Sequence, residues 1–304
     1  MALPLVYGEK NNNVDKRLWI NLGLLVFIVL LSAVLLLPED NTEQVLPQLT
    51  TIEQNDIVKI EVLRKNLDNF EFHKQGEVWR MTSPLQLLAN NSRINAMLRL
   101  LKTESHGQLN PANVNLDGFA LSDPIITLKL DEQVFQFGNT DAIDQRRYVL
   151  FKESIHLTND SLYALLTTNA AFFADTKLLP KDIEINAIQF PENKIELIDD
   201  QWRMKTLMDI KPDQLKRVVF NWKEAAAVSV SKYTAPEAES TISITFSEGI
   251  TINFTIVSTE PHLILGRKDL GIQYHLGSDV TDKLLLKEES STAIETPVTI
   301  SSPR

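Results

Sequence analysis

The chain has 304 residues, of which 43% are hydrophobic and 23% are charged, a balance typical of folded globular proteins. This length suits two domains of ordinary size. The net charge is −10, and residues 1–38 contain three cations and two acids, which leaves −11 for the remainder. So acidic a remainder argues against nucleic-acid binding, which requires a basic face. The absence of cysteine excludes disulfides, thiol catalysis and zinc-thiolate sites.

A long apolar segment lies near the N-terminus. Residues 18–37 contain no charge, and their polar side chains are Asn21 and Ser32. A helix of about 20 residues spans roughly 30 Å, the hydrocarbon thickness of a bilayer. The sequence therefore predicts an uncleaved transmembrane helix over 18–37. A cleaved signal peptide would have a shorter apolar region that ends in a small-residue cleavage site.

Cations flank this segment on one side. Lys10, Lys16 and Arg17 precede it, and the next Lys or Arg in the chain is Lys59. Because Lys and Arg are enriched in cytoplasmic flanks, residues 1–17 are predicted to be cytoplasmic and the bulk of the chain to lie across the membrane. The lipid bilayer is thus the first predicted partner.

Two polar segments bracket the rest of the chain. Residues 38–56 contain Pro38 and Pro47 and are predicted to form a linker. Residues 287–304 are rich in Ser, Thr, Glu and Pro and lack hydrophobic periodicity, which predicts a disordered tail.

The segment between them contains an internal repeat. Trp79-Arg80-Met81 and Trp202-Arg203-Met204 each end a predicted strand pair. Apolar residues then recur at i, i+3, i+4 and i+7, which predicts one helix per copy. These are Ile94, Met97, Leu98 and Leu101 in the first copy, and Leu215, Val218, Val219 and Trp222 in the second. Alternating strand pairs follow, and one face of each should pack on a core.

The sequence therefore predicts an α+β fold. A transmembrane helix precedes two duplicated lobes of mainly antiparallel sheet with packed helices, at residues 57–180 and 183–286. Ser92 is the predicted cap of the first repeated helix, and Pro212 suits the first turn of the second. Trp79, Trp202 and Trp222 occupy repeated positions and are predicted to pack in the core.

Three short stretches carry a family resemblance. They are Phe119-Ala120-Leu121-Ser122-Asp123-Pro124, Phe137-Gly138-Asn139-Thr140 and Arg146-Arg147-Tyr148-Val149-Leu150. With them, most of residues 57–285 resembles the bacterial family named domain of unknown function 4340. The resemblance implies membrane-anchored envelope proteins, many encoded beside gliding-motility-type ABC transporter components, and it brings no catalytic residues. The family pattern has glycine where this chain has Ala120, so the geometry of that turn is left open.

Chemical motifs are sparse. The five histidines are dispersed without the short spacings of metal ligands, so no metal site is predicted. The chain has no Gly-x-Ser-x-Gly motif and no phosphate-binding loop, so no catalytic residue or cofactor is predicted either. The acid pair Asp141 and Asp144 is interpreted as turn chemistry.

The predicted ligand or partner site is a cationic-aromatic cluster. Arg146, Arg147 and Tyr148 form it in the first copy, and Arg267 and Lys268 are its approximate counterpart in the second. Arginine pairs bidentately with carboxylates, so such a cluster suits an acidic peptide or glycan. The alternative interpretation is a solvated loop or an internal ion pair.

The sequence and the resemblance together favour a non-enzymatic, membrane-tethered periplasmic module in the bacterial inner membrane. It would bind or assemble a membrane or envelope protein, such as an ABC-type transporter, and no nucleic acid. One alternative is an envelope enzyme that acts on glycan or peptide through scattered carboxylates, which predicts converging acids with raised pKa values. The other is a structural spacer.

Overall fold

The computed structural model of the chain describes residues 13–35, 46–204, 210–237 and 240–285. The chain divides into two compact units, residues 1–46 and residues 47–304. In the first unit, helix α1 comprises Asn13–Leu35, and every large apolar side chain between Leu18 and Leu31 is at least 49% exposed. Within the described residues, no helix combines the length and the apolar character needed to cross a membrane. The predicted tail and residues 1–12 lie outside the described residues.

The second unit opens with a sheet of nine strands, all paired antiparallel. They are β1 (Lys59–Arg64), β2 (Phe70–Gln75), β3 (Val78–Ser83), β4 (Leu87–Leu88), β5 (Gln108–Leu109), β6 (Ile126–Leu130), β7 (Gln133–Thr140), β8 (Arg147–Phe151) and β9 (Ser154–Thr158). Their spatial order is β4-β3-β2-β1-β6-β7-β8-β9-β5. Helix α2 (Asn91–Leu98) precedes β5 in the chain, and α3 (Ser161–Leu166) follows β9.

A second antiparallel sheet has eight strands. They are β10 (Ile185–Gln189), β11 (Lys194–Ile198), β12 (Gln201–Met204), β13 (Ser229–Lys232), β14 (Thr241–Phe246), β15 (Thr251–Ser258), β16 (Ile264–Arg267) and β17 (Ile272–His275). Their spatial order is β12-β11-β10-β14-β15-β16-β17-β13. Helix α4 (Pro212–Glu224) precedes β13, and α5 (Ser278–Leu284) follows β17.

The two sheets repeat one topology. If β4 is set aside, their spatial orders match strand for strand, so that β1 corresponds to β10, β6 to β14 and β5 to β13. The helix before the edge strand also recurs, as α2 and as α4. The predicted α+β class with antiparallel sheets is confirmed.

Alternation along the strands and periodicity along the helices build the core. In β1, Ile60 and Val62 are fully buried, whereas Lys59 and Glu61 lie on the other face. The repeated apolar stripe of each helix faces the core, as its spacing predicts. Pro212 occupies the first turn of α4 as predicted. The cap of α2 is Asn90, whose side chain accepts a hydrogen bond from the Arg93 amide, and not Ser92.

The repeated tryptophans differ in burial. Trp222 is fully buried, and its Nε1 donates a hydrogen bond to the Leu284 carbonyl at 3.0 Å. Trp79 is 3% exposed, whereas Trp202 packs on the core while partly exposed. The core prediction therefore holds fully for Trp79 and Trp222, and truncation of Trp202 should cost less than truncation of Trp222.

Part of the predicted linker packs against the first lobe. The Leu49 amide donates to the Thr103 carbonyl at 2.9 Å, and the Ser105 amide donates to the Pro47 carbonyl at 2.8 Å. Leu49 and Ile57 are both buried. Because these contacts hold the segment to the lobe, the second unit begins at Pro47, inside the predicted linker of 38–56.

The strand order requires a connection across the first sheet. Strand β5 lies at an edge and β6 lies beside β1, so residues 110–125, the first crossing segment, must pass over β9, β8 and β7. Phe119 contacts the Tyr148 ring edge-to-face, with centroids 4.7 Å apart, and Leu121 is buried. A Cβ added at Gly138 would lie 2.2 Å from the Phe119 carbonyl oxygen. The close approach of the segment to the sheet therefore requires glycine at that position.

The second sheet repeats this arrangement. The connection from the edge strand β13 to β14 is described at residues 233–237 and 240, and we call these residues the second crossing segment. The Tyr233 ring lies against Gly266 of β16, where an added Cβ would meet ring carbon Cε2 at 2.3 Å. A glycine in each sheet thus accommodates the segment that crosses its face.

Ala120 has the backbone geometry that suits glycine. Its φ is 53°, in the left-handed region, at the end of the short 3-10 helix Leu116–Phe119. A non-glycine residue in this region costs roughly 1–2 kcal/mol. The turn that the family pattern left open is therefore a left-handed turn in this chain, despite the alanine.

We expect Ala120→Gly to raise the free energy of unfolding by about 0.5–1 kcal/mol, because it relieves the strain at positive φ and the gain exceeds the added entropy of the unfolded chain. Urea denaturation measures the change. Ala112→Gly is the matched control, since exposed Ala112 lies in a 3-10 helix at negative φ; it should lower stability slightly. A loss of stability in Ala120→Gly would contradict the assignment.

Candidate functional site

Arg147, from the predicted site, is held by internal contacts. Its guanidinium forms a two-point ion pair with the Asp160 carboxylate and donates to the Gly138 carbonyl. The same group stacks over the Tyr163 ring, 3.5 Å from its centroid. Its side chain is 11% exposed. These contacts match the alternative interpretation of the sequence, an internal ion pair.

Arg146 belongs to a turn that Asp141 organises. The Asp141 carboxylate accepts hydrogen bonds from the amides of Ile143, Asp144 and Arg146 at 2.7–2.9 Å. The hydrogen bond from the Asp144 amide is the largest cause of a lowered pKa at Asp141. Arg146 Nη1 lies 3.3 Å from an Asp144 carboxylate oxygen. The predicted turn chemistry accounts for the Asp141 carboxylate, whereas the Asp144 carboxylate forms an ion pair with Arg146.

The second predicted cluster lies elsewhere in its sheet. Arg267 forms a two-point ion pair with Asp269 at 2.9 and 2.7 Å, and Lys268 is exposed. Arg147 begins β8, whereas Arg267 ends the corresponding strand β16. The two clusters therefore lie at opposite ends of equivalent strands and are not structural counterparts. The interpretation of these residues as ligand-binding stays a prediction.

An open groove of about 620 Å³ lies on the outward face of β1, β2, β6 and β7. Its ionisable lining consists of Lys59, Glu61, His73, Lys129, Asp131 and Glu132; we call this the charged groove. Asp131 lies at one end of the groove. Its carboxylate accepts a hydrogen bond from the Lys59 amide at 2.8 Å, which holds the β6–β7 turn against the start of β1.

Ion pairs link the strands beneath the charged groove. Lys59 pairs with Glu61 and lies 3.4 Å from Glu71, while Lys129 lies 3.4 Å from Glu61. The Lys59 hydrogen bond is the main cause of a lowered pKa at Glu61. The His73 hydrogen bond is the main cause at Glu71. A ligand would meet a surface with both signs of charge.

Sequence reasoning did not single out the charged groove. Its signal was present as charged residues at alternate positions of β1 and β2, a pattern typical of a strand with one face in solvent. What the sequence did not reveal is that β6 pairs with β1 and brings Lys129 beside Glu61.

His156 is the buried histidine of the first sheet. It is 6% exposed, and its Nδ1 lies 3.0 Å from the hydroxyl of Ser105, which is also buried. Burial lowers the pKa of His156. Within the described ranges, no group of three or more His, Asp or Glu side chains is arranged to hold a metal.

The three resembling stretches meet at one place. Phe119 and Leu121 pack on Gly138, Arg147 donates to the Gly138 carbonyl, and Tyr148 contacts the Phe119 ring. Residues 79–199 match the family described as Domain of unknown function (DUF4340). This match confirms the resemblance over these residues. No curated protein and no solved structure matches the chain.

The DUF4340 match runs from Trp79 in β3 to Asp199 in the turn between β11 and β12. It therefore includes the whole first crossing segment and the glycine beneath it. The family motifs that this chain carries hold that segment on the sheet, which is a structural role.

We expect Arg147→Ala to lower the free energy of unfolding by about 1–2 kcal/mol, since it leaves the Gly138 carbonyl and Asp160 without a partner. Arg146→Ala, whose side chain makes a peripheral ion pair, should change stability by less than about 0.5 kcal/mol. Urea denaturation of both variants measures the difference. Equal losses would contradict the internal role assigned to Arg147.

Acid should destabilise the fold through His156. The pKa of His156 in the folded chain lies below its ordinary value of 6.5, so the unfolded chain binds the proton more readily. The stability that neutral His156 contributes is therefore present above about pH 6.5 and is lost as the pH falls. Urea denaturation at pH 7.5 and 5.5 measures the loss of unfolding free energy on acidification, and this loss should be smaller for His156→Gln than for the unaltered chain. His262→Gln, at an exposed site, is the control and should leave the loss unchanged.

Proposed function

We propose that the protein is a membrane-tethered, non-enzymatic binding or assembly module of the bacterial envelope, with α1 as its anchor and residues 47–285 as its exported part. The observation that carries the proposal is the exposure of α1. Its large apolar side chains from Leu18 to Leu31 are exposed all around the helix, a surface that water does not stabilise.

The length of the apolar segment supports insertion. Side chains of α1 are described from Leu18 to Ser32, and the uncharged apolar run continues in the sequence to Leu37. The complete run of 20 residues matches the bilayer core. Lys10, Lys16 and Arg17 on its N-terminal side favour a cytoplasmic N-terminus and a periplasmic second unit.

A binding role, as opposed to an enzymatic one, is supported by the acids of the described residues. Four carboxyl groups, Glu61, Glu71, Asp141 and Asp269, have pKa values that are lowered chiefly by the hydrogen bonds they accept. A carboxyl that serves as a general acid near neutral pH needs a raised pKa. This favours binding over the scattered-carboxylate enzyme.

The proposed partner is a membrane or envelope protein, and the family resemblance makes an ABC-type transporter subunit the first to consider. The test is chemical crosslinking in native membranes, followed by mild-detergent purification and mass spectrometry. The full-length chain is compared with a chain that lacks residues 1–38.

The proposal expects a stoichiometric partner crosslinked to lysines of residues 47–285 in the full-length sample, and a strong reduction in the truncated one. Recovery of the full-length protein alone, in a sample where other membrane complexes stay intact, would overturn it.

A further inference from the structure

Helix α4 presents an aromatic side chain and two cations to solvent. Phe220 is 62% exposed, and Lys216 and Arg217 are exposed. Residues three and four apart are neighbours on a helix surface, so both cations flank the phenyl ring. We call these three residues the α4 patch.

The scaffold beneath the α4 patch is fixed. Leu215, Val219 and Trp222 on the opposite side of α4 are buried. Asn221 Nδ2 donates to the Lys283 carbonyl at 3.1 Å, and Trp222 Nε1 donates to the Leu284 carbonyl at 3.0 Å. The patch therefore sits on a helix that is already held in place, so a ligand need not order it.

The two cations of the α4 patch form no ion pair with a described residue. Lys223 and Glu224, one turn further along, pair with Glu184 and Lys177. Among the described residues, no ion-pair partner is found for Lys216 or Arg217. Asp213, three and four residues before these cations, is their neighbour on the helix surface, but no ion pair joins its carboxylate to either side chain.

The duplication supplies an internal comparison. The equivalent outward positions of α2 and its 3-10 continuation are Asn95, Ala96 and Arg99. The same fold is thus built in the first lobe without an exposed aromatic residue or a pair of adjacent cations there. The repeated fold therefore does not require Phe220 or the two cations at these positions.

We propose that the α4 patch docks an acidic segment of a protein partner, in which carboxylates flank an apolar side chain. This rests on the proposed function, since the partner is the protein that the tethered module binds. Arginine pairs with carboxylates, and an aromatic residue beside an arginine has the composition of an interface hot spot. Anionic headgroups fit less well, because a bilayer would also face the −11 carried beyond residue 38.

The test places a photoreactive benzophenone side chain at position 220 of the full-length chain in native membranes, with position 99 as the matched control. Mass spectrometry of the crosslinked peptides identifies the occupant. We expect an adduct at position 220 to a partner segment with at least two carboxylates, and at least about tenfold less adduct from position 99. Lys216→Glu with Arg217→Glu should reduce the adduct by a similar factor, whereas Arg99→Glu should not.

An adduct to lipid, to residues 287–304 of the same chain or to a segment without acids would overturn the proposal. An adduct yield that the Lys216→Glu and Arg217→Glu substitutions leave unchanged would also overturn it. Thermal melting of each variant checks that the fold is intact, as exposed substitutions should leave it. Retention in the membrane is measured on the same samples. A retained chain without the adduct refutes the α4 patch alone, whereas loss of retention refutes the proposed anchor.

Discussion

Both sheets depend on a chain segment that crosses their face. After the helix, the chain forms an edge strand, β5 or β13, and its next strand lies in the middle of the sheet. The connection must therefore pass over three strands, and it packs against the sheet at a glycine, Gly138 or Gly266. A side chain at either position would displace the segment, because the contacting atoms are the Phe119 carbonyl and the Tyr233 ring. In the first lobe Arg147 adds a hydrogen bond to the Gly138 carbonyl, so the family motifs meet at this contact.

The sequence predicted the features that local periodicity encodes. Helical stripes located α2 and α4, alternation located the strand pairs, and the repeated tryptophans led to a core in which Trp79 and Trp222 are buried. Pairing across long separations was not predictable in this way. The sequence left open whether Arg147 binds a ligand or forms an internal ion pair, because Asp160 and Tyr163, which hold it, follow β9 in the chain. Leu49 looked like part of a linker because its hydrogen-bond partner, Thr103, is distant in sequence.

Inward-facing positions are apolar in both lobes, whereas the outward-facing side chains differ. In the first sheet, charged side chains on β1, β2 and β6 form the ion pairs of the charged groove. In the second lobe, α4 carries Phe220 where the equivalent position of the first lobe has Arg99. Since a core constrains inward positions and leaves outward ones free, function in a duplicated fold can diverge at the surface.

The anchor is the claim on which the account depends, and membrane extraction combined with protease accessibility tests it most directly. The full-length chain is expressed in bacterial cells, and its membranes are washed at alkaline pH. Intact spheroplasts are then treated with protease. The account predicts that the chain stays in the membrane pellet after the wash, that residues 47–285 are digested from outside, and that a tag before residue 10 is protected. Release by the alkaline wash, or protection of residues 47–285 in intact spheroplasts that expose a known periplasmic marker, would contradict it.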